Sequence, residues 1–167
     1  MTIEEYLQKP YWVIDILPKQ VPEDSPGQYF RIEEYYREHP QIDAIYSKFA
    51  NILLKLNCYE DIDVSLSDRE QESSEELWAT NPAPKSVEAM VARCLSRKEM
   101  LYVMLTSSGA MITISGDDTY MTVYNPSEAV LGLLGPLAAS EGLFLWMPPQ
   151  PGKRVDETRL LSTLLDS

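Results

Sequence analysis

Apolar positions along the chain change period several times, and each period implies a different element. Tyr11-Trp12-Val13-Ile14-Asp15-Ile16-Leu17 is aromatic and β-branched and lies between Pro10 and Pro18, which predicts a strand. Its nearly unbroken apolarity places that strand inside a sheet with both faces covered. Asp15 interrupts the run and is expected on the less covered, solvent-reaching face, since an unpaired buried carboxylate is costly. Gln41–Asn57 follows a helical period instead. There Ile42, Ile45, Tyr46, Phe49, Ile52, Leu53 and Leu56 recur at three- and four-residue steps and form one stripe. A helix over Gln28–Glu38 precedes it, with Pro40 between the two. Asp61-Ile62-Asp63-Val64-Ser65-Leu66 alternates with period two, the pattern of a half-buried strand.

The second half of the chain reads as a meander flanked by helices. Met100–Thr106, Ala110–Ser115 and Thr119–Tyr124 are strand-like, and Ser107-Ser108-Gly109 and Gly116-Asp117-Asp118 supply hairpin turns between them. Leu143–Met147 is a further apolar strand ended by Pro148-Pro149. Thr2 and Glu5 fit a capping box for a short helix over Ile3–Leu7. Ser86 is the expected N-cap of a helix over Val87–Lys98, whose Arg93, Arg97 and Lys98 suit a helix C-terminus. Ser127 caps a helix running to Ser140 that Pro136 should bend and Gly142 should end. Asp156 begins a last helix, to about 166, with Leu160, Leu161, Leu164 and Leu165 as a narrow stripe. Together these predict one α+β domain over 1–167, with a mostly antiparallel sheet of five or six strands and helices largely on one face.

Composition adds limits to this picture. A chain of 167 residues that is 44% hydrophobic and 24% charged can bury a core without disulfide or metal staples. The start, Met1-Thr2-Ile3-Glu4-Glu5-Tyr6, lacks the cationic and apolar regions of a signal peptide, and Leu101–Leu105 and Leu143–Met147 are far too short to span a bilayer. A cytoplasmic location is therefore expected, and Cys58 and Cys94 are expected as small buried hydrophobes.

Charge is unevenly placed. The net charge of −12 argues against a nucleic-acid partner. Residues 60–76 hold eight acids (Glu60, Asp61, Asp63, Asp68, Glu70, Glu72, Glu75 and Glu76) against Arg69 alone. Between Glu99 and Gly152 there is no lysine or arginine. The acidic run leads into Asn81-Pro82-Ala83-Pro84, so 67–85 reads as a solvated loop. Trp78 beside it offers an interface anchor, or else tucks back to pin the loop.

Catalytic motifs are missing. The single histidine, His39, precedes Pro40 and is expected at an exposed helix break, which leaves no multi-histidine metal site. No GxSxG, GxxxxGK[ST] or GxGxxG pattern occurs. Asp117 and Asp118 are better explained by the hairpin than by a metal, and Asp61 and Asp63 by a solvated strand face than by a carboxylate pair. No cofactor is expected. In composition alone, the chain resembles small acidic proteins such as toxin-neutralising immunity proteins. The leading expectation is thus a non-catalytic protein that binds a basic partner through Asp61, Asp63, Asp68, Glu70, Glu72, Glu75, Glu76 and Trp78. One alternative is a ligand-binding domain or enzyme with a pocket near Asp15 and tyrosines. Another is a module that forms homo-oligomers through the C-terminal leucine stripe.

Overall fold

A computed structural model describes residues 1–38, 41–67 and 78–149. Each strand pairs antiparallel with its neighbours in one sheet. In chain order the strands are β1 (Tyr11–Asp15), β2 (Ile62–Ser67), β3 (Ala79–Thr80), β4 (Met100–Leu105), β5 (Ala110–Ser115), β6 (Met121–Tyr124) and β7 (Phe144–Trp146). Their order across the sheet is β3-β2-β4-β5-β6-β1-β7. The helices are α1 (Ile3–Leu7), α2 (Tyr29–Glu38), α3 (Gln41–Leu56), α4 (Pro84–Ser96) and α5 (Glu128–Ser140). The α+β class and the antiparallel meander agree with the sequence reading, but the sheet has seven strands, not five or six. The extra strand is β3, whose two exposed residues carry no alternation to read and exist as a strand only because Asp63 and Val64 pair with Thr80 and Ala79.

Strand alternation sorts the sheet into two unlike faces. Ile14, Ile62, Val64, Leu101, Val103, Leu105, Ala110, Ile112, Ile114, Met121 and Val123 join one core with Phe49, Ile52, Leu53 and Leu56 of α3. Val87, Val91 and Cys94 of α4 and Val130, Leu134 and Ala138 of α5 complete it. At roughly 1.5–3 kcal/mol per buried large side chain, this face supplies most of the driving force for folding. The other face holds a smaller cluster, in which Ile3 and Tyr6 of α1 bury Met111, with Trp78, Tyr102, Met104 and Tyr124 packed around them. The capping box that starts α1 is present, Thr2 Oγ1 accepting from Glu5 N and Thr2 N donating to the Glu5 carboxylate.

Local details depart from the expectation in three places. α4 begins at Pro84 with Ala83 as its cap and no side-chain cap, so Ser86 lies inside the helix; proline at the first helical position sacrifices only an amide that has no partner there. Cys94 is buried, but Cys58 is exposed just past the end of α3. Arg93 does more than oppose the helix dipole: its Nε lies 3.3 Å from Oε2 of Glu99, a buried carboxylate. α5 runs through Pro136 and stops at Gly142, which has φ +72°. His39 and the leucine-striped segment 156–166 lie outside the described residues.

Glu60, first of the acidic run, has a structural task. Its Oε2 accepts from the amides of Ser107 (3.0 Å) and Ser108 (2.9 Å), and its Oε1 accepts from Ser108 Oγ (2.8 Å), holding the β4–β5 turn against the entry to β2. Glu60→Ala strips the turn of three acceptor contacts to a charged group and should lower stability by about 2 kcal/mol. A urea midpoint unchanged from wild type would show that water replaces the carboxylate without loss.

Candidate binding pocket

Of the eight residues first singled out for binding, the three that lie among the described residues, Asp61, Asp63 and Trp78, are engaged within the fold. Asp61 Oδ1 accepts from Asn81 Nδ2 at 2.9 Å, and Asp63 Oδ1 accepts from Thr80 Oγ1 at 2.7 Å. These contacts tie the β2–β3 pair together, and Asn81 Oδ1 adds a bond from Ile62 N at 3.0 Å. Trp78 is half-buried against the α1 cluster, so it tucks back onto the sheet. Asp68, Glu70, Glu72, Glu75 and Glu76 lie outside the described residues.

A different set of residues converges on the far side of the sheet. Along β1, Trp12 and Ile14 pack with the helix-covered core, while Tyr11, Val13 and Asp15 point the other way. Register continues this second face sideways: Tyr11 pairs with Tyr124, Val13 with Thr122 on one side and with Trp146 on the other. The chain between β1 and α2 passes over this floor through Gln20, Val21, Pro22 and Glu23, and α2 adds Tyr29 and Phe30. A partly open cavity of about 490 Å³ lies between floor and cover, with Tyr120 among its lining residues. That volume lies within the range of small-molecule sites.

Asp15 is the chemical centre of this cavity. Its expected solvent-reaching position is wrong: the residue is 6% exposed, because the 18–28 segment and α2 cover the face that β1 alternation leaves open. The Asp15 Oδ1 atom accepts from Ile16 N at 2.7 Å, and the Leu17 amide also supports the carboxylate. Burial nevertheless dominates and, with help from nearby Glu33, pushes the carboxyl up to about 6.

The phenols around it belong to the same electrostatic cluster. Tyr29 Oη donates to Glu33 Oε2 at 2.8 Å, and burial with this bond raises the Tyr29 pKa. Burial also raises the Tyr120 pKa, reinforced by its hydrogen bond to Asp118. Tyr124 is raised by burial too, and its ring lies 5.5 Å from that of Tyr11 at 44°. Trp146 is oriented by Nε1 donating to Leu17 O at 3.0 Å, which locks the rim of the pocket to the end of β1.

The alternative drawn from the sequence was a pocket near Asp15 and the sheet's tyrosines; the cavity is lined by Asp15 with Tyr11 of β1, Tyr124 of β6, Tyr120 just before β6 and Tyr29 of α2. The readable signal was the period-two spacing of Tyr11, Val13 and Asp15 and of Tyr120, Thr122 and Tyr124, which puts each trio on one strand face. No group of three potential ligands is arranged to hold a metal among the described residues, and no helix among them is long and apolar enough to cross a membrane. Comparison with protein families, with curated proteins and with solved structures finds no match to this chain.

Proposed function

We propose that the protein is a small-ligand-binding domain whose site is the cavity between the β1–β6–β7 face and the 18–28 segment. One observation carries this reading: an aspartate, Asp15, 6% exposed as a residue and lining the floor of an aromatic-walled cavity of about 490 Å³. The amides of Ile16 and Leu17 offset only part of the cost of burying Asp15. Desolvating a carboxylate opposes folding, and perturbed acids in clefts are characteristic of sites that recognise something. With its pKa near 6, Asp15 can also exchange a proton close to neutrality, so the same pocket suits proton-transfer chemistry on a bound molecule. Binding of a basic protein rests on the sequence charge of residues 60–76, and Glu60, Asp61 and Asp63 spend their carboxylates inside the fold.

The direct test is a thermal-shift screen of a chemically diverse small-molecule library on the full chain at pH 7.5. A true ligand at one hundred times its Kd stabilises the folded state by about 2.7 kcal/mol. For a chain of this length that raises Tm by roughly 5–10 °C. A library in which no compound raises Tm would sink the reading.

A further inference from the structure

We infer that the pocket takes an organic ammonium ion, an apolar body bearing one positively charged nitrogen that sits between the Asp15 carboxylate and the tyrosine rings. This rests on the binding reading above and specifies its ligand class. Three observations point the same way.

The first is sign. The ionisable carboxylates lining the cavity are Asp15 and Glu23, and no lysine, arginine or histidine among the described residues lines it. Lys19 lines an adjoining groove that shares Gln20 to Glu23 and Trp146. Glu33 and Asp118 add negative charge close behind Tyr29 and Tyr120. An anionic ligand would meet repulsion here in a partly desolvated space, where charge interactions are strongest.

The second is hydrogen-bond polarity. Tyr29 gives its hydroxyl proton to Glu33, and Tyr120 gives its own to Asp118. The phenol oxygens therefore have lone pairs left to offer and no further proton, and Asp15 is an acceptor when ionised. The part of the lining formed by Asp15, Tyr29 and Tyr120 therefore calls for a donor, whereas the Tyr124 oxygen already accepts from Thr113.

The third is the wall material. Tyr11, Tyr29, Tyr120, Tyr124 and Trp146 line the cavity together with Asp15, and aromatic rings attract a cation without the hydration that a metal ion demands. The same rings provide apolar area for the rest of the molecule.

The test uses three compounds that share one body and differ only in the head group: 3-phenylpropylammonium, 3-phenylpropan-1-ol and 3-phenylpropanoate. Binding to the full chain is followed by calorimetry at pH 7.5. The ammonium should bind roughly tenfold or more tightly than the alcohol. The carboxylate should not bind, and the preference should disappear in Asp15→Asn. Equal binding of ammonium and alcohol, or tighter binding of the carboxylate, overturns the charge assignment while leaving a working pocket. Binding of none of the three overturns it as well, and the library screen then decides the pocket reading alone.

Discussion

Gly116→Ala should be the most damaging glycine-to-alanine change among the described residues, costing about 3 kcal/mol and lowering Tm by roughly 10 °C. Gly116 follows the last residue of β5, where the sheet meets the end of α4. A Cβ there would stand 2.3 Å from the carbonyl oxygen of Cys94 and 2.3 Å from Cα of Lys98. Both are backbone atoms, so no side chain can swing aside. The same corner is held by Gly116 N donating to Glu99 O at 2.8 Å and Glu99 N donating to Cys94 O at 2.9 Å. Cys94 Sγ reaches Glu99 O and Ile114 O from inside. Moving α4 away to admit a methyl would loosen all of these contacts. Gly109→Ala is the informative control: that glycine has φ +73° but nothing within contact range of an added Cβ, so only backbone strain opposes it. Chemical denaturation of both variants checks the claim, and a Gly116→Ala midpoint close to that of Gly109→Ala would refute it.

Asp15→Asn should stabilise the ligand-free protein at pH 7.5 while removing cation binding. The folded-state pKa of Asp15 is raised from an ordinary 3.8 to about 6. The folded state therefore binds its proton more tightly than the unfolded state does, and stability falls as pH rises through that interval. Below about pH 4 the group is protonated in both states and the opposition vanishes. Two pKa units correspond to nearly 3 kcal/mol, which the water-facing opening of the cavity reduces to about 2 kcal/mol. Asparagine keeps an oxygen to accept from Ile16 N and carries no charge to desolvate. The variant should thus melt roughly 4–8 °C above wild type at pH 7.5, with the gap closing toward pH 4. A screened cationic ligand at saturation should reverse the order, raising wild type alone. Equal melting of the two proteins at pH 7.5 would mean that Asp15 is better solvated than its burial implies. A group that weakens the empty fold and strengthens the occupied one is the usual trade between stability and activity.

Much of the fold was legible because its elements are locally determined. The stripe of α3, the alternation of β2 and the three strands of the meander each depend on side-chain period and turn residues within a few positions. The same holds for the capping box of α1 and the Gly142 stop of α5. Where the reading failed or stayed open, the deciding partner lay far along the chain. β3 exists through Asp63 and Val64, and of the two places the sequence left open for Trp78, packing against Ile3 and Tyr6 is the one taken. Gly116 looked like a turn glycine, yet its constraint comes from Cys94 and Lys98. Cys58 sits in an apolar pattern at the end of α3 but falls past the covered stripe.

The candidate site shows the same division. From the chain alone come the acid inside an aromatic strand, the tyrosines at period two and the stretch from Glu99 to Gly152 without a lysine or arginine. Those features determine what the site is made of and the sign of its charge. Folding alone decided that β1 lies between β6 and β7, bringing Tyr11, Asp15, Tyr124 and Trp146 to one floor, and that the 18–28 segment with α2 roofs it. Burial is a property of the cover and not of the residue. A period of two says which side of a strand Asp15 faces, whereas only long-range packing says whether that side is water or a cavity.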